Sequence, residues 1–188
     1  MSHLSVIALN DSLLWSKDSS LRKSSRPVDL TDPDDLTMAQ NLIAEMFKSL
    51  YADASGVALA APQIGIQLQV LVVSYQDRES KQQKNIALMN PKISYSSEEM
   101  KEEEEICLSV PNHVGLVLRP DQIKVDAFDQ HGKPVTLEAN GFLARVLQHE
   151  IDHLNGVLYI DRVEGEIGAV PDFPERRAEP TLRKLGLK

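Results

Sequence analysis

His149, Glu150 and His153 stand in one pentapeptide, His149-Glu150-Ile151-Asp152-His153, whose residue types and spacing suit hydrolysis. Two histidines at i and i+4 leave a helix on the same face, so both imidazoles can reach one metal ion. Glu150 lies one step round the helix from His149. There it can touch a water on that metal but is badly placed to complete the ligand set. This is the arrangement of a metal-activated water with a carboxylate base. The same spacing also arises on amphipathic helices whose histidines are merely solvated, so the pentapeptide needs support from elsewhere in the chain.

A catalytic zinc- or iron-type site wants a third protein ligand and an open position. Cys107 is the only cysteine, so no intramolecular disulfide can form, which fits a reducing compartment. A lone cysteine reads as a buried small hydrophobe, a nucleophile or a ligand. As a thiolate it would complete a Cys/His/His set. Gln63 is the one polar side chain in an apolar run, residues 56–65. It reads as a buried structural amide or as a donor aimed at a substrate carbonyl.

The elements that must position these groups are partly legible. Leu143, Val146, Leu147, Ile151 and Leu154 recur at spacings of three and four, which predicts a helix over 141–156 with Asn140 as N-cap and Gly156 as stop. A second helix starts at Asp32, with Pro33 in its first position and acids in its first turn. Its stripe of Leu36, Ala39, Leu42, Ile43, Met46, Phe47 and Leu50 marks a core-packing face. Residues 56–65 read as a tight loop of small residues that lets another backbone come close. Strands are expected at 6–9, 69–75, 86–89, 92–95, 105–109 (ended by Pro111), 116–118, 123–128, 135–137 and 157–160. Residues 98–105 read as solvated acidic surface, with Glu105 as the exception because it borders Cys107. His131 reads as an exposed turn residue, and His113 as polar surface or the wall of a cleft. The stretch from Arg162 onward reads as a loosely ordered tail with a short helix at 181–187.

The chain has 188 residues, which suits one domain over 1–188 with 1–30 and 162–188 peripheral. A net charge of −8 argues against non-specific nucleic-acid binding. No apolar run approaches the ~20 residues of a membrane span, and the N-terminus lacks the pattern of a secretory signal. The expected compartment is the cytoplasm.

Read together, residues 56–63 (GVALAAPQ), 105–109 (EICLS) and 149–156 (HEIDHLNG) resemble, in order, the three motifs of the peptide deformylases: GxGxAAxQ, EGCLS and HExDHLxG. The resemblance runs from the first long helix to Ile160. It implies an α+β fold with antiparallel sheets wrapped around the HExxH helix. It implies Cys107, His149 and His153 as metal ligands, with iron(II) in the cell and zinc, nickel or cobalt tolerated. Glu150 would be general base and then acid, and Gln63 with the backbone N–H of Leu108 would stabilise the oxyanion. Gly56, Val57, Ala58 and Glu105 fall where substrate is bound. The implied reaction removes the formyl group from the N-terminal formyl-methionine of new proteins, and ribosome association is a family expectation.

The chain departs from the family pattern in three places. Ala58 and Ile106 stand where the motifs have glycine, and no arginine follows closely after Ser109. These departures motivate two alternatives: a paralogue acting on another N-formyl substrate, and a deformylase-like binding module with little catalysis. A metalloprotease rests on HExxH alone and leaves Cys107 unexplained.

Overall fold

A five-stranded antiparallel sheet lies between two helices, and a smaller sheet meets the second helix through side chains from Arg145 to His153. The computed structural model describes residues 6–10, 16, 19–52, 56–77 and 80–169. In chain order come α1 (Pro33–Ala52), β1 (Ala58–Ala60), β2 (Val70–Gln76), β3 (Gln83–Ser96), β4 (Met100–Cys107), β5 (Val110–Pro120), β6 (Gln122–Phe128), β7 (Pro134–Asn140), α2 (Gly141–Leu154) and β8 (Gly168–Ala169). The larger sheet has the order β1-β2-β3-β6-β7 and the smaller β4-β5-β8.

The alternation along β2 shows why the core divides in two. Val70 and Val72 face α1, where they pack with Leu42, Ile43, Met46 and Leu50. Leu71 and Val73 face the opposite way and pack with Leu147, Ile151 and Leu154 of α2. A strand covered on both faces reads as a continuous apolar run, as VLVV does here. In α2 every residue from Ala144 to Leu154 except His149 is buried. The helix is therefore an interior element, and solvated histidines on a surface helix are excluded.

Both helix starts fall where expected, by different means. Asp32 Oδ1 accepts the Asp34 N–H at 2.9 Å, an N-cap bond. Asn140 occupies the N-cap position of α2, but its side chain makes no capping bond. Instead β7 runs straight into the helix through Gly141, with φ of +50°, whose N–H donates to Asp121 O. Gly156 ends the helix with φ of +73°, and a Cβ there would meet Arg22 O at 2.5 Å. Glycine is needed there for dihedral and for space.

Several expected strands take other forms. The two segments either side of Asn90-Pro91 are one 14-residue strand, β3, with a bulge at that point. Asn90 has φ of +51°, and its side chain bonds both the N–H and the C=O of Val28, so polar pairing with a distant segment holds the kink. The acidic run is mostly strand β4, with five exposed residues before Glu105 turns inward. Pro111 does not end the strand; it lies within β5. Residues 56–65 hold a short strand and a 3-10 turn, Ala61–Ile64. Residues 157–160 lead into a 3-10 turn at Tyr159–Arg162. Residues 6–9 form no strand. The helix expected at 181–187 lies outside the described residues.

Candidate metal and active centre

The second sheet delivers the thiol. Glu105 and Cys107 are two apart in β4, so both project to its buried side while Ile106 points the other way. A register shift between Glu105 and Cys107 ends the strand in a tight turn at Leu108-Ser109. Ile106 is absent from the positive-φ residues, which among described non-glycines are Lys81, Asn90 and Asn112. The β-branched side chain in place of glycine therefore needs no strained backbone.

The helix delivers the imidazoles. Cys107 Sγ lies 3.2 Å from His153 Nε2, and the donor atoms of Cys107, His149 and His153 all fall within 4.8 Å of one another. The His149 and His153 rings meet edge to face with centroids 5.0 Å apart, and Tyr159 stacks on His149 at 6.0 Å. Among the described residues this is the one cluster of three or more such donors able to hold a metal. One soft sulfur and two imidazole nitrogens suit a zinc- or iron-type ion with an open position. Glu150, the next residue after His149, is itself buried.

Charge is arranged around the thiol. Burial alone would raise the Cys107 pKa, but the charge of His153 and hydrogen bonds from both histidines outweigh it and carry the pKa well below the thiol range. Burial likewise opposes charge on His149, and hydrogen bonds to Cys107 and Glu105 override it, lifting the imidazole well above its usual value. Ser109 N–H donates to the sulfur at 3.4 Å and Gln63 Nε2 at 3.6 Å.

Gln63 is buried in the 3-10 turn, where its Oε1 accepts the Ala60 N–H at 2.8 Å. That bond turns the amide NH2 toward Cys107 and toward Ser109 Oγ, 3.4 Å away. The structural reading of this glutamine holds at its oxygen, while its NH2 end points at the thiol. The N-terminal segment joins the two loops: Ile7 N–H donates to Gln63 O at 2.7 Å and Leu9 N–H to Ser109 O at 2.9 Å. Val57 and Gly56 lie partly exposed beside this turn. Buried Ala58 pairs with Val73 at the edge of the larger sheet.

Glu105, expected where substrate is bound, points into the interior. Its carboxylate is buried and fully engaged. Oε1 accepts from Arg119 Nε at 2.5 Å and Arg145 Nη1 at 2.8 Å; Oε2 accepts from Arg119 Nη2 at 2.9 Å and pairs with His149 Nδ1 at 2.9 Å. Burial would raise its pKa, but the bonds to His149 and Arg119 hold it far below the carboxylate range. Arg119 Nη1 also reaches Asp152 Oδ2 at 2.8 Å, and Arg162 grips the same carboxylate at 2.5 and 2.6 Å.

Sequence reasoning passed over Arg119, Arg145 and Asp152. A signal existed for the first: Arg119 is in phase with Val117, on the inward side of a strand whose Leu116 and Leu118 face out. His113 is part-buried, its Nδ1 2.7 Å from Pro111 O, in the segment of β5 that pairs with β8. His131 sits exposed in its turn. No described helix is long and apolar enough to cross a membrane.

The family model described as polypeptide deformylase matches residues 11–167. The chain is 40% identical over 164 residues to the peptide deformylase of Lachnoclostridium phytofermentans, covering 86% of this chain and 94% of that one. It superimposes on the peptide deformylase of Synechococcus elongatus in complex with actinonin with a TM-score of 0.71 at 34% identity, covering 98% of this chain and 87% of that one. A Met-Ala-Ser-bound class I type b peptide deformylase from Acinetobacter baumannii gives a TM-score of 0.71 at 30% identity, covering 86% of this chain and 99% of that one. The chain belongs to the peptide deformylase family, metal-dependent hydrolases that remove the formyl group from the N-terminal formyl-methionine of newly made proteins.

Proposed function

We propose that Cys107, His149 and His153 hold one divalent metal, iron(II) in the cell, in a single catalytic domain working in the cytoplasm on nascent chains at the ribosome. One observation carries the site assignment: three donors from two separate elements, β4 and α2, converge within 4.8 Å around an acidified thiol. When bound, the metal supplies Lewis-acid charge that acidifies water and offsets negative charge on oxygen.

The chain's own groups do the rest. Glu150 takes a proton from the attacking water as its oxygen bonds to the formyl carbon. The Gln63 amide and the Leu108 N–H donate to the formyl oxygen as negative charge develops there. Glu150 then passes its proton to the departing amine nitrogen as the C–N bond breaks, leaving formate and a free N-terminus. β1 stands at the edge of the larger sheet, with Gly56 and Val57 leading into it, so an extended peptide can lie beside it as an added strand. Glu105 acts on this chemistry by orienting His149 rather than by touching substrate.

The test is formate release from formyl-Met-Ala-Ser by protein loaded anaerobically with iron(II), alongside its metal content. Release with about one metal per chain is expected from three converging donors. Metal without release points to another formylated substrate, and no metal removes the catalytic account.

A further inference from the structure

Cys107 and the two histidines come from different layers. Cys107 belongs to the smaller sheet, whereas α2 packs against the larger one. Something must hold that sheet and the helix at one separation, because a shift of half an ångström would spoil a three-donor site. Arg145 is built for this. It sits one turn before His149 on α2 and is buried to 9% exposure. Its Nη1 donates to Glu105 Oε1 at 2.8 Å and to Val117 O at 2.9 Å, and its Nη2 to Lys101 O at 2.7 Å. Its Nε lies 3.1 Å from Glu103 Oε2. One guanidinium thus binds two carboxylates of β4 and one backbone carbonyl each of β4 and β5. A planar fork with five donors can do this, and no other side chain can.

We propose that Arg145 is a positioning residue for the metal site, acting through Glu105 on His149 and fixing the separation between Cys107 and the histidines. Arg145 and His149, at i and i+4 on one helix, grip the two oxygens of a single carboxylate. Arg119 holds that carboxylate from β5. Arg145 therefore makes β4, β5 and α2 one rigid frame. The inference rests on the ligand assignment proposed above.

The test uses the full chain loaded with cobalt(II), reading the thiolate-to-cobalt absorption band and the rate of cobalt release to a chelator. The wild-type band tests the ligand assignment itself; its absence would remove that assignment and leave Arg145 without a site to position. Given the band, Arg145→Met is expected to speed release about 10- to 100-fold and shift the band. Arg145→Lys keeps a charge and one or two of the bonds, and should fall between the two, which also covers the case in which the Met variant fails to fold. Glu103→Ala loses only the exposed contact and should release cobalt like wild type. In a Glu105→Gln background the Arg145 change should have a smaller effect than it has alone, because part of its action passes through that carboxylate. Release from both Arg145 variants within about twofold of wild type, or fully multiplicative effects of Arg145 and Glu105, would overturn the proposal.

Discussion

His149 Nδ1 lies 2.9 Å from Glu105 Oε2, and this contact ties the helix that supplies two donors to the strand that supplies the third. It leaves Nε2 of His149 to face Cys107 and His153, the tautomer and orientation that ligation needs. The carboxylate stays ionised because two arginines and the histidine share its oxygens.

Glu150→Gln should keep the metal and lose the reaction. The amide has the same shape and cannot carry a proton from water to amine. Formate release should fall by at least about 100-fold while cobalt content and the thiolate band stay at wild-type levels. A variant retaining most of its rate would move the base elsewhere.

Gln63→Leu removes the donor proposed to meet the oxyanion and the acceptor that fixes the Ala60 N–H. The expected loss is about 100-fold or more in kcat, with metal content unchanged. A change confined to KM would assign Gln63 to peptide binding instead.

Arg119→Met leaves Glu105 and Asp152 buried with fewer cations. Breaking a buried pair from one side costs about 3–5 kcal/mol, read as a lower denaturant midpoint of the metal-free protein. A loss below about 1 kcal/mol would show that Arg145 and Arg162 suffice.

Asp35 offers a pH test away from the site. Its carboxyl is lowered from 3.8 to about 2 by the side-chain hydrogen bonds from Arg26 and the Asp29 N–H. A lowered native pKa favours the folded state above the unfolded value, and that advantage vanishes as pH falls through about 2. Asp35→Asn should therefore be less stable than wild type above about pH 4 and converge with it near pH 2, followed by denaturant titration. A gap independent of pH would mean that the pair's charge contributes nothing.

Much of the site was legible because its chemistry is local. The i and i+4 histidines share a face on any helix, and Gly156 and Asp32 bound helices by rules acting within one turn. The two helical stripes and the VLVV strand also follow from near-neighbour periodicity. Where the reading failed, a distant partner was responsible. Asn90 looked like a break between strands, yet its bonds to Val28, 62 residues away, keep β3 continuous. The acidic run is solvated surface as expected, but that its exposed residues form a strand follows only from pairing with β5. Ile106 stands where the motif has glycine, yet the extended backbone of β4 removes the need for glycine.

What the sequence determined by itself was the inventory: a His-Glu-x-x-His helix, one thiol, one amide in an apolar run, and the order that relates them to the deformylases. Only the tertiary structure decided how they are held. Arg119 and Arg145 reach Glu105 across 14 and 40 residues of chain, and no local pattern encodes a buried charge whose partners lie that far away. The physical reason is that a buried ion is tolerated only with its counter-ions in place, and folding is what brings them together.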